Sequence, residues 1–131
     1  MADIALVNAN RVSVVESIEQ HTAPANVNIV AGQVVALNPT NGRWILATDD
    51  RAYGVATKTV RAGEACTAIK QGVMDGFELG ALDWDDDLFL NAANGNLATT
   101  GTVVIGRVTG AYANFLGVAH DKILLVESRR A

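Results

Sequence analysis

The chain has a single cysteine, Cys66, so it holds no internal disulfide and no cysteine-rich metal site. No apolar run approaches the roughly 18 residues that span a bilayer. The opening "MADIALVNANR" has an acid at position 3, no basic stretch and no adequate apolar block, which argues against a secretory signal. The expectation is a protein that works where it is made, with no membrane partner. Positive charge is also scarce: 10 Lys and Arg stand against 14 Asp and Glu, a net charge of -4, and the cations are scattered. A nucleic-acid surface needs them clustered, so none is expected. The one pair, Arg129-Arg130, reads as a terminal tail.

Catalytic signatures are missing as well. There is no Gly-x-Ser-x-Gly, no Gly-x-x-x-x-Gly-Lys-Ser/Thr and no Gly-x-Gly-x-x-Gly. Cys66 with His21 or His120 is the only candidate thiol dyad, but Cys66 lies mid-strand between Ala65 and Thr67, where a small buried side chain is the ordinary reading. The run "DWDDD" places Asp83, Asp85 and Asp87 at positions 1, 3 and 5 of a calcium loop. The loop then fails, with Leu88 where a Gly is needed and Asn94 where a bidentate Glu is needed. It reads as an acidic loop with Trp84 packed inward. The reading is of a non-enzyme with no metal and no cofactor.

What is present has the composition of a folded all-β domain. Hydrophobic residues make up 50% and charged residues 18%, too apolar for disorder, and a chain of this length buries roughly two-thirds of its unfolded surface. Short runs of β-branched residues are cut by Gly, Asn and Asp every 8 to 12 residues or so, the spacing of a sandwich or barrel. Strands are expected at 11–18, 33–37, 44–48, 52–60, 65–74, 88–91, 103–110 and 122–127. Within the fifth, Thr67, Ile69, Gln71 and Val73 alternate with Cys66, Ala68 and Lys70. "ILLV" at 123–126 is apolar on both faces and belongs in mid-core. "FELGALDWDDDLF" offers at most a turn or two of helix, interrupted by Gly80.

The chain also repeats itself. "LNPTNG" at 37–42 returns as "LNAANG" at 90–95, and "YGVAT" at 53–57 is answered by "IGRVT" at 105–109. Asn-Gly suits the positive φ angles of a tight hairpin turn, and Gly54 and Gly106 suit places where another strand passes close. The repeat therefore reads as construction, one supersecondary unit used twice in a compact barrel or sandwich over residues 29–131. Residues 1–28 differ: "IALV" and "VSVV" precede a polar stretch, which reads as an N-terminal arm or a first strand. As an arm it would pair with the edge of another chain through main-chain hydrogen bonds.

The sequence "IVAGQVVALNPTNGRWILATDDRAYGVATKTVRAGEACTAIKQGVM", followed by "DLFLNAANGNL" and "IGRVTGAYANFLGVAHDKILLVE", resembles the capsid decoration, or cement, proteins of tailed bacteriophages. The shared features are the Gly-Gln-Val-Val start at 32–35, Tyr53-Gly54-Val55-Ala56, the Ala-Gly-Glu turn at 62–64, the second Leu-Asn-x-x-Asn-Gly hairpin and Ile105-Gly106-x-Val108. They span residues 29–127. Where the family has a Gly-Asp pair before the second hairpin, this chain has "DWDDD". Members have also carried a recombinase label, against which the missing phosphate loop argues here. The resemblance implies a non-enzymatic protein of the virion, made in the host cytoplasm, that binds the major capsid protein on the outside of the mature head, commonly as a homotrimer. On that view Ile4, Leu6, Val7, Val12 and Val14 are the candidate coat or subunit contacts, and Trp44, Trp84, Tyr112 and Phe115 are candidates for a trimer interface, where aromatics are enriched, with core packing the default reading for each. The alternatives are a minor virion protein, such as a head-fibre base or tail component, and a small carrier or ligand-binding β domain with Lys70 as the carrier's modified residue.

Overall fold

The computed structural model describes residues 3–6, 12–110 and 122–127. Among these there is no helix, and the strands are β1 (Ser13–Pro24), β2 (Val34–Leu37), β3 (Trp44–Leu46), β4 (Gly54–Ala56), β5 (Ala65–Asp75), β6 (Asp87–Leu90), β7 (Leu97–Ala98), β8 (Val104–Gly110) and β9 (Lys122–Glu127). They form one antiparallel sheet, strongly curled into a half-barrel, in the order β3-β2-β4-β5-β9-β8-β6-β7, with β1 added on β5. The all-β expectation holds. Most expected strands fall close to the observed ones, but of the expected 52–60 only Gly54–Ala56 is strand; β7 had no counterpart, and β1 runs on through the polar stretch to Pro24.

The strand order is a palindrome, and this is what the sequence repeat builds. β3-β2-β4-β5 is one copy and β7-β6-β8-β9 the other, joined by antiparallel pairing of β5 with β9 from Gln71↔Glu127 to Met74↔Leu124. The copies share their register: Gly54 sits opposite Val35, and Gly106 opposite Leu88. A Cβ at Gly54 would collide with the carbonyl of Ile69, and one at Gly106 with that of Leu125. Each glycine is therefore required by the close passage of the next strand.

The turns also match, though not as the Asn-Gly pairs suggested. Of each pair only the glycine has a positive φ, 69° at Gly42 and 78° at Gly95, and the chain turns through a longer loop. Asn38 N–H donates to Arg43 O (2.7 Å) and Gly42 N–H to Asn38 O (2.8 Å); in the second copy Asn91 N–H donates to Asn96 O (2.9 Å) and Gly95 N–H to Asn91 O (2.8 Å). The asparagines act through their side chains. Asn38 Oδ1 accepts from Thr40 N–H (2.9 Å) and Asn41 Oδ1 from Arg43 N–H (3.0 Å), as Asn91 Oδ1 accepts from Ala93 N–H (3.1 Å) and Asn94 Oδ1 from Asn96 N–H (2.9 Å). Short polar side chains that bond the backbone two residues on are what make Asn a turn former here.

Two cores result. Val35, Trp44, Ala56, Cys66 and Ala68 face a small one, closed by Ala23 and Ala25 at the end of β1. Val34, Ala36, Val55 and Ile69, on the opposite face of the same strands, join Leu88, Leu97, Val108 and Leu124 in the larger one. Burial on both faces explains why β2 (VVAL) and β4 (GVA) contain no polar residue. Trp44 is completely buried, and its Nε1–H donates to Cys66 O at 2.7 Å. Alternation along β5 holds only to Ile69: pairing steps from Gln20↔Ile69 to Glu19↔Gln71, leaving Lys70 as an extra residue, after which Met74 faces the larger core alongside Ile69. Leu124 and Val126 are fully buried, but Leu125 on the other face is only half-buried, so "ILLV" serves the core with one face.

Gly54→Ala and Gly106→Ala should each destabilise the protein by about 2–4 kcal/mol through forced backbone displacement. Gly80→Ala, where an added Cβ meets nothing within 4 Å, should leave stability nearly unchanged. Urea midpoints of the three variants check this.

Candidate interaction surface

A curled sheet that does not close has edges, and unpaired main-chain groups there are binding groups. The outer edges of β3 and β7 are short and each is capped. Asn26 N–H donates to Trp44 O (2.8 Å) beside an Ala25↔Trp44 bridge, and Ile4 N–H donates to Leu97 O (2.8 Å) beside an Asp3↔Ala98 bridge. β1 is different. One edge of this 12-residue strand pairs with β5 from Ser13↔Asp75 to Pro24↔Ala65. The opposite edge of β5 is taken by β4 and β9. Among the described residues, nothing pairs with the outer edge of β1.

β1 is exposed along nearly its whole length, with Val14 39% and Ile18 61% accessible among Glu16, Ser17 and Glu19. Val15 and Ile18 are extra residues against β5, and such bulges twist an edge, which together with charge discourages indiscriminate pairing. The strand is fastened at its C-terminal half. The His21 ring meets Trp44 at 5.7 Å edge-on and Tyr53 at 6.1 Å, and the Thr22 and Thr67 hydroxyls share a 2.6 Å hydrogen bond. Burial, and then the nearby Glu19 carboxylate, push the Tyr53 phenol above its ordinary value. What β1 offers chemically is main-chain hydrogen bonding to an extended segment, flanked by two carboxylates and two aliphatic side chains.

The candidate contact residues divide. Ile4 and Val12 are each 9% exposed and belong to the larger core, and Leu6 packs against it, bridged to Phe77. Val14 lies on the exposed part of β1; Val7 is outside the described residues. Of the candidate trimer aromatics, Trp44 is buried within the protomer, while Trp84 is 55% exposed; the acidic loop does not pack it inward as expected. Tyr112 and Phe115 lie outside the described residues. In that loop Asp85 has φ 69° and pairs with Arg107 at 3.3 Å, and Asp86 Oδ2 accepts from Asp83 N–H at 2.9 Å. Among the described residues no group of three or more His, Cys, Asp or Glu is placed to hold a metal. Cys66 is buried, and burial raises its thiol pKa. Lys70 lies within β5 with Nζ 5.7 Å over the Tyr53 ring, away from any hairpin tip.

A feature with no counterpart in the sequence reading is the fastening of the N-terminal segment. The Asp3 carboxylate accepts from the side-chain amides of Asn91 (2.7 Å), Asn94 (2.9 Å) and Asn96 (3.0 Å), all in the second turn. Donation by Asn96 and Asn91 lowers its pKa below the usual carboxylate value. A cleft of about 410 Å³ runs beneath the segment, between it, Val30–Gln33 and Phe77. The three asparagines were visible in sequence, but nothing there tied them to a residue at the other end of the chain.

Comparison of the chain with protein-family models, with curated proteins and with solved structures returned no match. The decoration-protein resemblance rests on the residues quoted for it.

Asp3→Ala should lower stability by about 1 kcal/mol at neutral pH. Because the folded-state pKa of Asp3 is lowered, its contribution is complete above the ordinary carboxyl value near 3.8 and is lost as pH falls through the depressed one. Urea midpoints of wild type and variant should therefore converge in acid.

Proposed function

We propose that this protein is a non-enzymatic capsid decoration protein, which binds the outside of a mature tailed-phage head and stabilises the shell by bridging coat subunits as a homotrimer. The observation that carries the reading is the outer edge of β1: a long, exposed strand edge on a sheet whose other edges are capped by its own chain. Such an edge suits addition of an extended segment from a neighbouring coat or decoration subunit, with main-chain bonds supplying affinity and Val14, Ile18, Glu16 and Glu19 supplying selectivity. The sequence resemblance supplies the class of partner. Many copies with modest contacts stabilise a shell by multiplicity and by binding only its expanded form.

The test is to add purified protein to expanded heads lacking decoration and count bound copies. Saturation near one copy per coat subunit is expected. Ile18→Lys should weaken binding at least tenfold with an unchanged urea midpoint. Saturation at a few copies per head would replace this reading with a minor virion component, and absence of binding would end it.

A further inference from the structure

Residues 3–6 use both of their main-chain edges. On one side Asp3 bridges to Ala98 and Ile4 N–H donates to Leu97 O at 2.8 Å; on the other Leu6 bridges to Phe77 and Ala5 O accepts from Glu78 N–H at 2.9 Å. The segment is therefore a strap, laid from β7 at the end of the sheet to the chain just past β5. Every pairing among β1 to β9 is made without it. Its side chains alternate, with Ile4 in the larger core, Leu6 packed against that core and Ala5 exposed. Packing beneath it is incomplete, because the cleft of about 410 Å³ lies between it and residues 30–33. One main-chain bond to each neighbour and open space below place such a segment at the low end of local stability.

Its polar fastening is concentrated at Asp3, and the groups that receive Asp3 are assembled independently of it. Asn91 and Asn94 use their Oδ1 atoms inside the turn, on the N–H groups of Ala93 and Asn96, which leaves Nδ2 of each directed at the carboxylate. Gln33 Nε2 donates to Asn94 O at 3.1 Å and lies 3.5 Å from Asn96 Oδ1, the amide whose Nδ2 makes the third bond to Asp3. The turn is in turn held to β2, where Val34 N–H donates to Gly95 O at 2.7 Å. Three amides set in place by the second turn and its neighbours thus converge on one anion, the strongest polar contacts that residues 3–6 make.

We propose that residues 3–6 are a strap that opens as a unit while the nine-stranded sheet stays folded, with Asp3 as its latch and Asn91, Asn94 and Asn96 as the keeper. Open, it uncovers the Leu97 carbonyl, the Glu78 N–H and the apolar cleft wall of Phe77 and Leu97, a second strand edge in addition to that of β1. This goes beyond the capsid reading and does not depend on it.

Amide hydrogen exchange of the full chain, followed by NMR, tests the strap. The Ile4 and Glu78 amides report its two edges, and the Leu90 amide, which donates to Val103 O at 2.9 Å, reports the sheet. Ile4 and Glu78 should share one protection factor, about tenfold or more below that of Leu90. Asp3→Ala should lower it about fivefold at both amides. Gly54→Ala weakens the sheet equally whether the strap is open or closed, so it should lower protection at Leu90 and leave Ile4 and Glu78 unchanged. Urea below the unfolding midpoint makes the same separation if Gly54→Ala does not fold, because a local opening exposes little surface. Strap amides that follow Leu90 under Gly54→Ala or urea would show that the strap opens only with the whole sheet, and unchanged Ile4 and Glu78 in Asp3→Ala would show that Asp3 is not the latch. Either result overturns the proposal.

Discussion

The antiparallel pairing of β5 with β9 is the contact on which the rest of the molecule depends. It joins two copies of one four-stranded unit back to back, and by doing so sets the palindromic strand order. Its register puts Met74 opposite Leu124 and Gly72 opposite Val126, so that the buried residues of both strands face one core. A slip of one residue would turn Leu124 and Val126 outward. The extra residue at Lys70 is what lets β5 serve this core after it has served the smaller one, which places Cys66 and Ala68 on one side and Met74 on the other.

From that spine the two copies diverge, and the divergence is where an exposed strand edge arises. The first copy is covered on both faces, with Trp44 sealing the smaller core and β1 running along β5. β1 completes the pairing of β5, and among the described residues nothing pairs with its own outer edge. A half-barrel is an open sheet, so its edges are either capped by other segments of the chain or left exposed. The bulges at Val15 and Ile18 and the carboxylates of Glu16 and Glu19 keep that edge from pairing at random.

Polar side chains manage the ends of the sheet. Asp3 and its three asparagine donors hold the N-terminal segment over β7, where Ile4 caps the edge and fills the larger core. On the first copy the corresponding edge is capped by Asn26, whose N–H donates to Trp44 O as that of Ile4 donates to Leu97 O, though beside a parallel and not an antiparallel bridge.

Much of the architecture was legible in the residues. Alternation and Gly, Asn and Asp punctuation located the strands, the repeat announced the duplication, and Gly54 and Gly106 marked close strand passage, because these are properties of local conformation and of sterics that only glycine relieves. Other features were not legible. β7 is two residues long, too short for a period to register. The parity changes come from bulges, which are settled by the partner strand. The role of Asn91, Asn94 and Asn96 depended on Asp3 arriving from the far end of the chain. Sequence by itself determined the strand content and the two-fold repetition, whereas the tight Asn-Gly turns it suggested proved to be longer loops held by Asx bonds. Which faces are buried, which edge is left open and which turn holds a carboxylate were decided by tertiary structure alone, because each depends on contacts between residues far apart in the chain, whose loop closure and packing no local pattern encodes.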